Sequence, residues 1–301
     1  MKQTLFTGVA TALITPLTDI WVDYNRLGEL IDWQIEMGVD ALVVCGTTGE
    51  SATLDDAEHR QVIEYAVKRV DGRVPVIAGT GSNDTRYGVE LTKHACDLGV
   101  DGLLTVTPYY NKATQTGLIR SFEAMADAAT KPMILYNVPS RTGVNIEPKT
   151  AAKLSEHPNI VGIKEASGNI SQIVELFSLV GDNMDVYSGN DDQIVPILSM
   201  GGKGVISVLS NPMPRETVEI CRRWFNGDLK GSAELQCRYL PFIKALFSQV
   251  NPVPVKAAMA RMGFCEDHVR LPLSPMEEPF RANLYKCMDE LGLPCAEGEN
   301  K

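Results

Sequence analysis

Eight short apolar runs rich in β-branched residues alternate with longer segments of helical periodicity, and this alternation limits the folds open to the chain. Each run is bounded by glycine, proline, asparagine or aspartate, and each is short enough to be a fully buried strand. Strands that alternate with helices favour a parallel sheet. The predicted strands cover residues 8–16, 41–46, 74–80, 102–108, 132–139, 160–166, 184–189 and 204–209.

The predicted helices carry their own start and stop signals. Residues 55–70 begin with Asp55, and Glu58 follows three positions later, which is a capping signal before an apolar helical face. A second helix is predicted over 84–98. The stretches MGVDALVVCGT, LGVDGLLTVTP and MGGKGVISVLS each place a glycine between a helix end and a strand. Such turns are typical of parallel α/β sheets.

Eight such units predict one closed (β/α)₈ TIM barrel of the α/β class, which takes about 250 residues. A doubly wound open sheet is the alternative, but no GxGxxG fingerprint follows the first strand. After about residue 227 the strand pattern stops, and proline-separated helical segments follow. We therefore predict a barrel over 1–226 and a C-terminal helical extension over 227–301, whose last stretch, CAEGENK, is a frayed tail.

Composition and charge exclude several classes of protein. The chain has 301 residues, 44% of them hydrophobic, and a formal net charge of −10 without any basic run. This balance argues against nucleic acid or an anionic membrane surface as a partner. No apolar run approaches the ~18 residues that a membrane span needs, and no signal peptide is evident. The seven scattered cysteines fit reduced thiols, so we expect a cytoplasmic protein.

Polar motifs follow several of the predicted strands, at the barrel end where active sites lie. GTTGES (46–51) follows the second strand, PYYN (108–111) the fourth, PSRTG (139–143) the fifth and SGNDD (188–192) the seventh. Their convergence on one mouth predicts a functional site. No HxxxH, HExxH or Cys/His cluster occurs, and neither does a P-loop or GxSxG, so no metal site is predicted.

Lys164 stands at the end of an apolar strand, in VGIKEASG, where an ammonium group is costly to bury. It should share a face with Gly162. If that face is the barrel interior, burial disfavours the charged form, and a neutral amine can attack a carbonyl to form a Schiff base. The alternative is a lysine that reaches solvent or pairs with Glu165 or another carboxylate. Because of its neighbours, we favour the catalytic interpretation.

Three groups near the same mouth would assist such an amine. Tyr136, on the preceding strand, could relay protons with Thr47 and a tyrosine of PYYN, although a strand tyrosine is more often a core residue. The GTTGES motif offers hydroxyls and backbone N–H groups to a carboxylate, or is simply a capped turn. Arg141, in a predicted loop, suits a substrate carboxylate, with a surface salt bridge as the alternative.

The motifs GTTGES, TPYYN, YNVPSRTG, GIKEASGN, SGNDD and GVISV, in this order, resemble those of the 4-hydroxy-tetrahydrodipicolinate synthase family. The likeness runs from about residue 5 to the RLPLSP turn at 270–275. It implies a Schiff-base lyase that condenses pyruvate with L-aspartate 4-semialdehyde in lysine and diaminopimelate biosynthesis. It also implies that no external cofactor is needed, and that the protein is an oligomer, usually a homotetramer built as a dimer of dimers.

The resemblance also assigns roles residue by residue. Lys164 would form the imine with pyruvate, and Tyr136 would donate and accept protons. Thr47 would link Tyr136 to Tyr110, a residue that in this family reaches in from a neighbouring subunit. The substrate-binding residues would be Thr48 for the pyruvate carboxylate, Arg141 for the semialdehyde carboxylate, Gly189, and Ile206 through its backbone.

Some members of this family bind lysine as an inhibitor at a subunit interface, and this chain departs from that pattern. Asp56 stands where the pattern has a second histidine, and Tyr87 where it has a glutamate. Losing that acidic residue predicts weak or absent feedback by lysine, although Asp56 could supply a different partner. The residues that still match this allosteric pattern are Ser51, Ala52, His59, Asn83 and Tyr109.

Two alternatives to the synthase stay open. N-acetylneuraminate lyases and keto-deoxy sugar-acid aldolases share the lysine, the tyrosine and the pyruvate chemistry, but Thr47 and Arg141 favour the synthase. A non-catalytic barrel that serves as a binding protein would require an unreactive Lys164.

Overall fold

A closed barrel of parallel strands forms the centre of the computed structural model, which describes residues 2–296. Each strand pairs with the next along the chain, and the last pairs with the first. This topology confirms the predicted (β/α)₈ barrel and excludes the open sheet. The strands are β1 (Gly8–Ala12), β2 (Ala41–Val44), β3 (Val76–Gly79), β4 (Gly102–Val106), β5 (Met133–Asn137), β6 (Ile160–Glu165), β7 (Asp185–Ser188) and β8 (Gly204–Ser207).

Helices follow the strands around the outside of the barrel, and the helical pattern continues past the last strand. The two helices predicted over 55–70 and 84–98 are confirmed. The helices are α1 (Tyr24–Glu36), α2 (Asp56–Val70), α3 (Thr85–Asp97), α4 (Gln115–Ala128), α5 (Pro139–Thr142), α6 (Pro148–Leu154), α7 (Ile170–Val180), α8 (Ile194–Ser199), α9 (Pro214–Phe225), α10 (Leu229–Leu246), α11 (Val253–Arg261) and α12 (Glu278–Leu291).

The predicted strands have the right number and order, but most of them extend too far at their carboxyl ends. The second strand shows why. It ends at Val44 because Cys45 takes a left-handed backbone conformation, with φ of 53°, and turns the chain into the GTTGES loop (46–51). The apolar pattern continues through this turn since Cys45 is buried too.

Two layers of apolar side chains hold the barrel together. Residues on one face of each strand, such as Ile134 and Ile206, pack with one another inside the barrel. Residues on the other face, such as Leu135 and Ile163, pack against the helices. Strand neighbours alternate between the two faces, so any polar side chain on the inner face is enclosed by the barrel.

The start of α2 confirms the predicted capping signal. The Asp55 side chain accepts a hydrogen bond from the backbone N–H of Glu58 at 2.8 Å, and the Glu58 carboxylate accepts one from the N–H of Asp55 at 3.1 Å. Both bonds satisfy donors that would otherwise have no partner in the first turn of the helix.

Replacing Asp55 by alanine should lower the free energy of unfolding by about 1 kcal/mol, because one N-terminal N–H of α2 loses its acceptor. Urea denaturation followed by circular dichroism measures this loss. The control is Asp182→Ala, which removes an exposed carboxylate from a short 3₁₀ turn. Equal midpoints for the two variants would contradict the capping role.

The helical segments predicted after about residue 227 correspond to α10, α11 and α12. The division into a barrel over 1–226 and an extension over 227–301 stays a prediction. The predicted frayed tail lies mostly outside the described residues. Within them, the N–H of Ala296 donates to the Arg261 carbonyl at 2.8 Å. No helix in residues 2–296 is long and apolar enough to cross a membrane.

Candidate active site

Lys164 lies on β6 with its side chain inside the barrel. It is 5% exposed, and its Nζ lies 4.2 Å from the centre of the Tyr136 ring. Within residues 2–296 it forms no ion pair. Glu165 does not pair with it, because the Glu165 carboxylate accepts hydrogen bonds from the Asn137 side chain at 3.0 Å and the Ser167 N–H at 2.6 Å. The alternative of a Lys164–Glu165 pair is therefore wrong.

The neighbouring strands create the space around this amine. Gly162 shares the inner face with Lys164 as predicted, and a Cβ there would lie 3.3 Å from the Tyr187 ring. The Tyr187 hydroxyl donates to the Phe6 carbonyl at 2.8 Å, and the two rings stack with centres 4.3 Å apart. Both rings lie in the apolar cluster inside the barrel, and Phe6 precedes β1, so they fill the end of the barrel opposite to the mouth.

Tyr136 pairs with Lys164 in the register between β5 and β6 and is 7% exposed. Its ring packs in the apolar cluster inside the barrel. Its hydroxyl has no hydrogen-bond partner in the part of the chain that the structure describes. It is therefore available to a substrate bound to Lys164.

The predicted hydroxyl relay is not assembled within one chain. No hydrogen bond joins the hydroxyls of Tyr136, Thr47 and Tyr110 in residues 2–296. Tyr110 has a left-handed backbone, with φ of 74°, and is 89% exposed, so it points away from the barrel of its own chain. Of the two tyrosines in PYYN, Tyr109 is the one that lines the cavity at the mouth. A relay through Tyr110 needs a second chain.

The GTTGES loop (46–51) forms one wall of the mouth. Thr47 lines a cavity of about 510 Å³, whereas Thr48 is buried and its hydroxyl accepts a hydrogen bond from the Asn251 side chain at 3.0 Å. The motif is therefore more than a capped turn, because its second threonine is bound by a residue outside the barrel strands. Sequence reasoning did not single out Asn251, although it lies within the range of the family resemblance.

Arg141 also lines this cavity. The prediction of a loop was wrong, since Arg141 belongs to the one-turn helix α5, which begins with Pro139 at a position that suits proline. Its side chain forms no salt bridge within residues 2–296, so the surface-pair alternative is not supported by the structure.

Lys164 and Tyr136 do not line this cavity. Val138 joins the two regions, because it lines the cavity and packs in the apolar cluster with Tyr136.

Gly189 directly follows β7, and Ile206 lies near the carboxyl end of β8. The N–H of Gly189 donates to the Glu165 carbonyl at 2.7 Å, and a Cβ on Gly189 would lie 3.1 Å from the Lys164 side chain. The same Cβ would lie 2.7 Å from the Ala166 Cβ, so a side chain at this position would displace its neighbours. Ile206 is fully buried inside the barrel on β8.

Asp191, from the SGNDD motif, is a buried carboxylate that the sequence did not mark as functional. It accepts hydrogen bonds from the Ser207 hydroxyl at 2.5 Å and from the N–H groups of Val208 and Leu209 at 3.0 and 2.9 Å. Burial raises the pKa of the Asp191 carboxyl, and the charge of Lys164 acts in the opposite direction. Asp191 fixes the chain that follows β8 and thereby the position of Ile206.

The residues of the predicted allosteric pattern divide into two groups. Ser51, Ala52, His59 and Tyr109 line the 510 Å³ cavity together with Tyr87, whereas Asn83 is not in its wall. The His59 ring bonds the Gly79 carbonyl at 2.8 Å, and burial lowers the pKa of this imidazole. Four of the five residues that match the allosteric pattern therefore line one cavity, and Asn83 does not.

The substituted positions in that pattern contact each other. The Tyr87 hydroxyl donates to the Asp56 carboxylate at 2.9 Å, and Arg60 forms a salt bridge with the same carboxylate at 2.9 Å. Both contacts hold the pKa of Asp56 below its usual range, and the Asp56 contact helps raise the pKa of Tyr87 to about 12, an effect to which burial contributes most. The carboxylate thus already has two partners.

A model of the dihydrodipicolinate synthetase family matches residues 5–291. The chain belongs to this family. A 4-hydroxy-tetrahydrodipicolinate synthase from Caldicellulosiruptor bescii is 53% identical over 98% of this chain and 100% of the relative. As a member of the family, the chain is a lyase of lysine and diaminopimelate biosynthesis.

Solved structures agree with this assignment. The crystal structure of dihydrodipicolinate synthase from Aquifex aeolicus has a TM-score of 0.95 and 45% identity, over 97% of this chain and 100% of that one. A second solved structure, described as a monomeric dihydrodipicolinate synthase variant, has a TM-score of 0.94 and 44% identity, over 96% and 98% of the two chains.

Proposed function

We propose that Lys164 forms an imine with pyruvate and that the chain then joins this pyruvate to L-aspartate 4-semialdehyde. The observation that carries the proposal is the Nζ of Lys164, which is enclosed in the barrel, forms no ion pair within residues 2–296 and lies 4.2 Å from the centre of the Tyr136 ring. An amine enclosed in this way beside a tyrosine can act as the nucleophile toward a ketone.

The reaction follows from this chemistry. The amine attacks the ketone carbon of pyruvate, and loss of water gives a protonated imine. This imine withdraws electrons, so a proton leaves the pyruvate methyl group and an enamine forms. The enamine carbon attacks the aldehyde carbon of the second substrate. The imine itself is the electron sink, so the proposal includes no external cofactor and no metal.

Tyr136 is the group placed to move protons during imine formation. Its hydroxyl has no competing hydrogen-bond partner in residues 2–296, and its strand pairs in register with Lys164. In the proposed relay, Thr47 connects Tyr136 to a Tyr110 hydroxyl from a neighbouring chain.

Two carboxylates must be bound at the mouth, one from each substrate. The buried Thr48 of the GTTGES loop would bind the pyruvate carboxylate close to Gly189 and the Ile206 backbone. Arg141 lines the outer cavity, is exposed, and has no salt-bridge partner in residues 2–296. Its free guanidinium suits the carboxylate of the semialdehyde through paired hydrogen bonds.

The exposure of Tyr110 supports an oligomer, and we propose a homotetramer made of two dimers in the cytoplasm. Tyr110 is 89% exposed on a loop with a positive φ, so its hydroxyl is free to reach the site of a neighbouring chain. The monomeric variant among the structural relatives has the same fold, so the fold alone does not settle the assembly. Sedimentation of the purified chain would measure its mass directly.

The acceptor aldehyde separates the synthase from its sister aldolases. With pyruvate saturating, we expect turnover with L-aspartate 4-semialdehyde and at least about 100-fold lower kcat/KM with N-acetylmannosamine or a sugar aldehyde, because Arg141 has no carboxylate to bind in those substrates. Succinate semialdehyde, which keeps the carboxylate, is the matched control. Faster turnover with a sugar aldehyde would show that the acceptor is wrong while leaving the imine chemistry intact.

We also predict weak or absent inhibition by lysine. Asp56 is already bonded to Tyr87 and Arg60, so no unpaired carboxylate in the predicted allosteric pattern is left for the ammonium group of lysine. Initial rates measured with lysine from micromolar to millimolar concentration should stay nearly constant. Half-inhibition at micromolar lysine would overturn this prediction.

A further inference from the structure

The C-terminal extension contacts the GTTGES loop through a buried ion pair. Lys256, on α11, lies within 2.5 Å of the Glu50 carboxylate, and the two side chains are 0% and 1% exposed. Lys256 also donates to the His268 carbonyl at 2.6 Å, and the second Glu50 oxygen accepts the N–H of Arg270 at 3.2 Å. Two of these three bonds connect the loop to the extension, and the third fixes Lys256 within the extension.

Such a pair is a poor source of stability, because removing two charges from water costs about as much as their attraction returns. Burial lowers the pKa of Lys256, and the nearby Glu50 opposes that shift. Glu50 also takes a left-handed backbone conformation, with φ of 55°, which disfavours most residues. Glu50 is therefore strained and belongs to an ion pair that adds little stability. Both features fit a role in fixing the conformation of the loop.

A second contact reaches the substrate side of the same loop. Asn251, two residues before the start of α11, donates its side-chain N–H to the Thr48 hydroxyl at 3.0 Å, and both side chains are buried. A hydroxyl that accepts this bond directs its own hydrogen elsewhere. Asn251 thus sets the orientation of the hydroxyl that we assign to the pyruvate carboxylate.

We propose that Asn251 and Lys256 are positioning residues, through which the C-terminal extension holds Thr47 and Thr48 in the geometry that binds pyruvate. The proposal rests on the proposed function and names a specific part of it. Neither residue contacts the reacting atoms. Their effect should therefore appear in the binding of pyruvate rather than in the chemical steps.

Asn251→Ala in the full chain should raise the KM for pyruvate roughly tenfold, the effect of one lost hydrogen bond. Its kcat should stay within about threefold of the wild type. The matched control is Asn159→Ala, which removes a side chain bonded to the Ala126 and Ala129 carbonyls at the opposite end of the barrel. That variant should lose stability without any change in KM.

A double-mutant cycle with Thr48→Val decides whether the effect passes through Thr48. In the Thr48→Val background, Asn251→Ala should raise KM no further. Additive effects, or a KM change no larger than that of Asn159→Ala, would overturn the positioning role.

The combined variant Lys256→Met with Glu50→Gln removes both charges of the pair without leaving one of them buried alone. It should raise the KM for pyruvate as Asn251→Ala does. If this variant does not fold, the double-mutant cycle of Asn251→Ala with Thr48→Val decides the proposal.

Borohydride reduction in the presence of pyruvate distinguishes a failure of the proposed function from a failure of the positioning role. No labelled lysine in the wild type refutes the proposed function, whereas labelling with an unchanged KM in Asn251→Ala refutes only the positioning role.

Discussion

Lys164→Ala should reduce kcat by roughly 10⁴-fold or more, because the variant has no amine with which to form the imine. The fold should survive the change. Lys164 forms no ion pair within residues 2–296, and removing a buried amine relieves a desolvation cost. We therefore expect a thermal midpoint equal to or above that of the wild type. A coupled assay of turnover and a thermal melt measure the two quantities.

Lys93→Ala is the control for this variant, since Lys93 is an exposed lysine on α3. Its turnover should equal that of the wild type. If Lys164→Ala kept more than about one hundredth of the wild-type rate, another group would have to form the imine, and the account of the barrel interior would be wrong.

Tyr136→Phe should lower kcat by about 10²- to 10³-fold, the usual effect of removing a group that transfers protons. The ring and its contact with Lys164 remain, so the loss isolates the hydroxyl. Stability should not change, because this hydroxyl makes no hydrogen bond in residues 2–296. Single-turnover rates with pyruvate alone show whether imine formation is the step that slows.

Tyr187→Phe removes the same hydroxyl group from a different tyrosine and should affect stability rather than kcat. The Tyr187 hydroxyl bonds the Phe6 carbonyl at the closed end of the barrel, so its loss should cost about 1 kcal/mol of unfolding free energy. Its kcat should stay close to that of the wild type. Equal losses of kcat in Tyr136→Phe and Tyr187→Phe would mean that both changes act through the barrel packing.

The fold could be predicted because each element carries a local signal. The capping residues of α2 and the glycines before β2, β4 and β8 reflect backbone geometry that is decided within a few residues. The inner face of β6 also followed from sequence, since Gly162 and Lys164 are two residues apart. Strand ends were predicted less well, because Cys45 is apolar and buried although it already belongs to a turn.

The support around the site could not be predicted from the residues alone. Lys256 and Glu50 are 206 positions apart in the sequence, and the pattern of α11 predicts only a helix. The direction of the Tyr110 side chain depends on the backbone conformation of its loop. The sequence pattern therefore does not show that this side chain is exposed rather than packed on its own barrel. Contacts between distant segments of the chain have no local signal.

Borohydride reduction with pyruvate, followed by intact mass and peptide mapping, tests the central claim most directly. The account predicts one added reduced pyruvyl group per chain, on Lys164, and none without pyruvate. An adduct on another lysine, or no adduct while the protein still turns over pyruvate, would contradict the imine chemistry proposed for this barrel.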